Sequence, residues 1–296
     1  MNDRFSAYHP LVNFLYFTLV LSFSMVLNHP LAQFISLVCA IIYAVQTEGR
    51  KAVLFTLRWC LPIMLLTAFM NPAFNHEGKT ILLYFPTGHP LTLESILYGF
   101  SSGAMIVTVM LWFLSFNRVI TSDKFIYLFG RIIPAMSLVL SMTLRFIPKF
   151  KTQMDQVIDA QKSIGRNISE GSLWHRTKIA VTVLSIMVTW SLENAIETAD
   201  SMKSRGYGLP GRTAFSIYRF DDRDKIALLY LAFCGVYLLC GTMISAFGFR
   251  YFPTIRYIGI NAITLSFQFF YFILCGMPVA LNWAEERKWK AIHSKM

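Results

Sequence analysis

The feature that most constrains this chain is a set of long stretches without one charged side chain. Residues 11–46, 95–117, 226–249 and 257–284 contain no Asp, Glu, Lys or Arg. A helix rises about 1.5 Å per residue and the hydrocarbon core of a bilayer is about 30 Å thick, so each run is long enough to cross. Inside a bilayer no water can satisfy backbone N–H and C=O groups, so runs of this length must close their hydrogen bonds as helices. Composition points the same way: 55% of the 296 residues are hydrophobic and 15% are charged, with a mean hydropathy of +0.50. The expectation is an all-α, polytopic membrane protein.

Taken in order, residues 11–27 and 31–46 read as two spans joined by a tight Asn28-His29-Pro30 turn, where proline stops one helix and opens the next. Arg4 followed by the apolar run from Leu11 has the outline of a signal peptide, but no small-x-small cleavage site ends the run, so both segments are read as retained spans. The following loop carries Glu48, Arg50, Lys51 and Arg58, and its positive balance places it on the cytoplasmic side. A third span covers about 53–70. The loop 71–92, with Glu77 and Lys79 as its charges, belongs outside. The fourth span, about 93–116, carries Gly99 and Gly103 at GxxxG spacing, a possible helix-packing face. Two more spans, about 226–247 and 257–282, precede a basic tail, Glu285-Glu286-Arg287-Lys288-Trp289-Lys290. Six full spans put both termini inside, at the cost of leaving Arg250 and Arg256 in an external loop.

Residues 117–225 differ in kind, holding 16 basic and 10 acidic residues, or 26 of the chain's 43 charges. Their apolar runs, 132–144 and 179–192, are short for full spans and suit partly immersed or buried helices; if either crosses, some orientations reverse. Between them, Arg145 to Lys178 carries seven basic residues against three acidic ones, which places the region at the cytoplasmic face. Two amphipathic rods are expected here. One runs over about 146–164, opened by Pro148, with Ile147, Phe150, Met154, Val157, Ile158 and Ile164 as its stripe, and ends at Ser163-Ile164-Gly165 followed by Arg166. The other runs over 190–206, with Leu192, Ala195, Ile196, Ala199 and Met202 on one face, and ends at Ser204-Arg205-Gly206. Glycine at C′ takes the left-handed conformation at least cost, and a cation in the last turn favours the carbonyl end of the helix dipole. A rigid rod with a guanidinium at its tip suits an acidic groove on another protein, although an ordinary capped helix has the same local pattern.

Other chemistry is poorly represented. His9, His29, His76, His89, His175 and His293 are scattered, without HExxH or ligand spacing. The five cysteines lie in apolar segments without CxxC spacing, as buried hydrophobes. No metal site or cofactor is expected. Asp221-Asp222-Arg223-Asp224 resembles an acidic Mg²⁺ cluster, but Arg223 breaks it and no second cluster accompanies it. There is no GxxxxGK[ST] phosphate cradle, so the chain does not hydrolyse nucleotides itself. No ionisable residue sits near the middle of a full span, as a proton-driven carrier would require. The net charge of +11 fits cytoplasmic loops beside anionic lipid, and nothing resembles a nucleic-acid module.

Four segments in order carry a resemblance: Arg131-Ile132-Ile133-Pro134, Thr143-Leu144-Arg145-Phe146-Ile147-Pro148, Asp159 to Gly165, and Ala199 to Tyr207. Over about 118–210 the chain resembles the transmembrane T component of energy-coupling factor (ECF) transporters. The resemblance implies a non-enzymatic coupling subunit with N-terminal spans (1–117), a cytoplasmic coupling region (118–225), and C-terminal spans with a basic tail (226–296). It implies two ABC-type ATPases beneath, each receiving one helix tip, and a small substrate-binding membrane subunit alongside, for uptake of a vitamin, a related micronutrient or a metal ion. It assigns ATPase docking to Ser204, Arg205 and Gly206, and to Ser163, Ile164, Gly165 and Arg166. The family's first triplet usually has a central arginine. With Ile164 there, either Arg166 substitutes or that contact is mainly apolar. The sequence also has one span more after the second triplet than many members. The implied location is the plasma membrane. The competing readings are a membrane enzyme for lipid or prenyl substrates using Asp221, Asp222 and Asp224, and a carrier or channel acting alone.

Overall fold

His9-Pro10-Leu11 and His29-Pro30-Leu31 open the first two long helices in the same way. In each, proline occupies the first turn, where its missing N–H costs nothing, and the histidine Nδ1 accepts the leucine N–H, at 3.3 Å for Leu11 and 3.2 Å for Leu31. These helices are α1 (Pro10–Val26) and α2 (Pro30–Glu48). The computed structural model to which they belong describes residues 3–84, 90–130, 134–166, 172–209, 218–257 and 261–293. Gly49, at φ +60°, separates α2 from α3 (Arg50–Phe55). A π-helical segment, Thr56–Cys60, joins α3 to α4 (Leu61–Phe74). Pro62 explains the wide turn: it has no N–H to return to Arg58, so the ladder loosens just before it and the helix continues. A short antiparallel hairpin, β1 (Ile81–Tyr84) with β2 (Pro90–Thr92), leads into α5 (Leu93–Val119). Next come α6 (Ser122–Gly130), α7 (Pro134–Ser163), α8 (Leu173–Ser204) and α9 (Asp222–Met243). The two-residue pair β3 (Phe249–Arg250) and β4 (Arg256–Tyr257) precedes α10 (Ala262–His293).

The protein is an all-α polytopic membrane protein, with six helices among the described residues long and apolar enough to cross a membrane. They are not the same six that the sequence led one to expect. The first expected span is α1, whose 17 residues reach only about 26 Å at about 1.5 Å each. The run 179–192, expected to be short of a span, lies inside the 32-residue α8, which qualifies by length and composition. Counting uncharged residues underestimates this helix, because it continues beyond the apolar stretch through charged positions, Arg176 and Lys178 on one side and Glu193 and Glu197 on the other. Arg131, Ile132 and Ile133 of the first motif, and residues 258–260 at the expected start of the last span, lie outside the described residues.

The chain forms two compact units, residues 1–125 with 218–296, and residues 126–217. The larger is built around Trp112 of α5, whose ring lies within 6.4 Å of Tyr16, Phe17 and Tyr43 and whose indole N–H donates to Ser36 Oγ at 3.0 Å. Ser36 meets Ser24 at 2.9 Å, and Ser24 meets Tyr271 at 3.1 Å, so four helices share one buried polar knot. Hydrogen bonds of this kind join helices where the surroundings offer no water. The GxxxG pair makes the α4–α5 seam. A Cβ on Gly103 would lie 2.3 Å from Thr67 Oγ1, and one on Gly99 would lie 3.1 Å from Ala68 Cα.

One end of this unit is stapled by the N-terminal turn. Asp3 accepts from Tyr43 Oη and Asn282 Nδ2 at 2.9 Å each, Arg4 pairs with Glu285, and Lys124 donates to the Ser6 carbonyl. The starts of the chain and of α9, and the ends of α2 and α10, therefore meet at the same end of the bundle.

Candidate functional site

The second unit is an antiparallel helical hairpin of α7 and α8. Ile179, Val183 and Met187 pack with Val157, Ile158 and Trp190. Phe150 meets Trp190 edge-on at 5.3 Å, and Lys149 Nζ donates to Asn194 Oδ1 at 2.7 Å while standing 5.5 Å over the Trp190 ring. Pro148 does not open a rod at 146, as the sequence had suggested. It lies within the 30-residue α7, which continues through it at the cost of one ladder bond.

Both helices end in the same cap. At the end of α8, Gly206 has φ +76°, its N–H donates to Lys203 C=O at 2.9 Å, and the Tyr207 N–H donates to Met202 C=O at 3.0 Å. At the end of α7, Gly165 has φ +81°, its N–H donates to Lys162 C=O at 3.0 Å, and the Arg166 N–H donates to Gln161 C=O at 3.0 Å. Each is a Schellman motif with glycine at C′. The serines match as well: Ser163 Oγ donates to Ala160 C=O at 2.8 Å and Ser204 Oγ to Ser201 C=O at 2.9 Å. These hydroxyls lock the last turn. The underlying sequence repeat, Asp159-x-x-Lys162-Ser163-x-Gly165 and Asp200-x-x-Lys203-Ser204-x-Gly206, is readable from the chain once the caps are aligned.

The tips differ in what they present. Arg205, at the C-cap, is exposed, and the guanidinium complements the carbonyl end of α8. Its counterpart is Ile164, 64% exposed, with the exposed Arg166 two positions on. Leu192 and Ile196, on the apolar face read from the sequence, are 63% and 65% exposed, so that face is largely uncovered in the single chain. Because the hairpin is antiparallel, the tips lie at its opposite ends. Arg205 lines a cavity together with Arg145 of α7, and the 18 residues from Arg145 to Ser163 span about 27 Å of helix axis. The structure therefore brings Ser163, Ile164, Gly165 and Arg166 together at one end and Ser204, Arg205 and Gly206 at the other.

The acidic cluster has a different role from the one its composition invites. Asp224 is buried and accepts the His9 N–H and the Asp221 N–H, each at 3.0 Å, in a capping box that opens α9. Asp222 pairs with Lys225 at 2.7 Å and Asp221 with Arg223 at 3.5 Å. The one buried carboxylate of the three is thus occupied by helix capping and the N-terminal staple. Among the described residues no group of three or more His, Cys, Asp or Glu could hold a metal ion.

Residues 7–215 match the model of the CbiQ family, described as cobalt transport protein. The chain is similar to the energy-coupling factor transporter transmembrane protein EcfT 1 of Listeria monocytogenes serotype 1/2a (strain 08-5578), with 28% identity over 66% of this chain and 78% of that protein. It is similar to the EcfT protein of Staphylococcus aureus (strain 04-02981), with 28% identity over 64% of this chain and 76% of that one. Against the EcfT protein of Bacillus selenitireducens the identity is 36%, over 34% of this chain and 38% of the relative.

Proposed function

This chain belongs to the CbiQ cobalt transport protein family and is a transmembrane T component of the energy-coupling factor transporter type, and from that premise we propose that it links two ABC-type ATPases to a small substrate-binding membrane subunit. The observation that carries the proposal is the pair of matching Schellman-capped tips at opposite ends of one rigid hairpin. A single docking partner needs one tip. Two tips some 25–30 Å apart along the helix axis, on the same hairpin, suit two ATPases held side by side. Closing of the ATPase pair on nucleotide then moves both tips, and the hairpin passes the motion to the membrane. The chain brings no phosphate cradle of its own, so the work comes from its partners.

The tips divide the labour. Arg205, backed by Ser204 and Gly206, makes a charge-assisted contact with an acidic groove. Ser163, Ile164 and Gly165 make a mainly apolar contact with Arg166 at its edge, so the two ATPase surfaces need not be alike. The basic excess of 117–225 and of the tail, with the chain start and the end of α10 at one end of the bundle, supports both termini on the cytoplasmic face of the plasma membrane. The cargo is a vitamin, a related micronutrient or a metal ion, chosen by the separate substrate subunit.

The test is affinity purification in mild detergent from the native host, with Arg205→Glu alongside and partners identified by mass spectrometry. ABC ATPases and a small membrane protein are expected with the wild type. Inverting a desolvated charge contact costs about 2–5 kcal/mol or more, enough to lose the ATPases while the mutant still accumulates in the membrane. Recovery of both ATPases at wild-type levels with Arg205→Glu would refute the role given to Arg205.

A further inference from the structure

Arg205 does not face the partner alone. Leu138, Ser141, Met142 and Arg145 fall at i, i+3, i+4 and i+7 on α7, and Glu197, Thr198, Ser201 and Arg205 at i, i+1, i+4 and i+8 on α8, so each set shares one helical face. The two faces line one polar cavity of about 550 Å³. Among the described residues neither arginine and not Glu197 forms an ion pair, and the Arg145 guanidinium lies 5.7 Å over the Phe146 ring. The residues lining the cavity thus include two arginines against one glutamate. Thr198 returns its hydroxyl to Asn194 C=O at 2.6 Å, which leaves its oxygen as an acceptor.

We propose that this cavity receives one carboxylate side chain of the docked ATPase, gripped by Arg145 and Arg205 together, with Glu197 as the resident anion that the incoming carboxylate must compete with. This inference rests on the docking reading of Arg205. The charge count favours a single carboxylate, which brings two cations and one anion to neutrality, whereas a phosphate would overshoot. A guanidinium from each helix also ties the grip to the hairpin as a whole, so a pull on the carboxylate is shared between α7 and α8. Arg145 reaches the site from the segment Thr143 to Pro148, one of the four that carry the family resemblance.

The experiment measures binding of the ATPase subunits to the full-length chain in nanodiscs. Arg145→Gln, Glu197→Gln, Arg205→Gln and the double variant Arg145→Gln/Arg205→Gln are compared with wild type, and thermal melts of each variant alone serve as a check on folding. Arg145→Gln is expected to weaken binding about tenfold or more, while Glu197→Gln tightens it several-fold, because it removes the competing anion. The double variant loses less than the product of the single losses, since both arginines hold one group. Wild-type affinity with Arg145→Gln overturns the proposal. So does equal weakening by Arg145→Gln and Glu197→Gln, which marks the cavity as merely structural. The Glu197→Gln sign carries the test if Arg145→Gln fails to fold. A wild-type chain that binds no ATPase refutes the docking reading itself, whereas normal wild-type binding with an indifferent Arg145 refutes only this inference.

Discussion

Replacing Gly206 by alanine tests whether the cap geometry at the tip of α8 matters in its own right. The residue sits at φ +76°, where an L side chain crowds the following carbonyl at a cost of about 1–2 kcal/mol. A Cβ there would also stand 3.1 Å from Leu209 Cδ1, a flexible methyl that can give way, so the backbone term dominates. A penalty of about 1–2 kcal/mol shifts the ratio of capped to frayed ends by about 5–30-fold. Fraying releases the Gly206 N–H from Lys203 C=O and the Tyr207 N–H from Met202 C=O, and lets Arg205 swing off the helix axis. The assay is amide hydrogen exchange in detergent, read at Gly206 and Tyr207 in wild type, Gly206→Asn and Gly206→Ala. In the alanine variant the position 206 and Tyr207 amides should exchange about 5–30-fold faster. Asparagine, which tolerates the left-handed region better, should fall between wild type and alanine. The global melting temperature should barely move, because the cap opens locally. Equal protection in all three proteins would refute the argument that this cap is held by glycine's conformational freedom.

Other predictions follow from the packing. Gly103→Leu, whose Cβ would overlap Thr67 Oγ1, should destabilise the chain by at least about 1–3 kcal/mol and cut its yield, whereas Gly276→Ala faces open space and should be neutral; thermal melts in detergent check both. Asp224→Ala should cost about 1–3 kcal/mol by orphaning the His9 and Asp221 N–H groups, while the exposed Asp222→Asn leaves the melt unchanged; an equal effect from the two would argue against a capping role. Burial holds the His9 imidazole below its ordinary value of 6.5, outweighing the opposing pull of Asp224. The unfolded chain therefore binds the proton more readily. Stability should be full above about pH 6.5 and decline as pH falls through and below it, and His9→Asn should flatten that decline in melts between pH 7.5 and 5.

The C′ glycines were legible because their reason is local. A helix that stops at Ser-x-Gly needs a left-handed residue, and glycine alone adopts it freely, so Gly165 and Gly206 announce their caps without any tertiary contact. The same holds for the charge-free runs, since a bilayer demands length and apolarity before it demands packing. The GxxxG pair was legible as a possibility, and its partner face, Thr67 and Ala68, was not.

By itself, then, the sequence determined the solvent of this protein and the chemistry at its glycine-capped helix ends, but not which apolar helices are long enough to cross, since α1 falls short and α8 qualifies. Tertiary structure alone decided how far α7 and α8 extend. Pro148 reads as a start, yet α7 continues through it, and the single lost ladder bond is set against the packing of α7 on α8 through Phe150, Val157 and Ile158. Tertiary structure alone also decided what the acidic cluster does, because the donor that occupies Asp224 is His9, 215 positions away in the chain. It decided, too, that Arg145 shares a cavity with Arg205. No spacing rule connects residues 60 positions apart, and only the antiparallel return of α8 along α7 brings them to one wall.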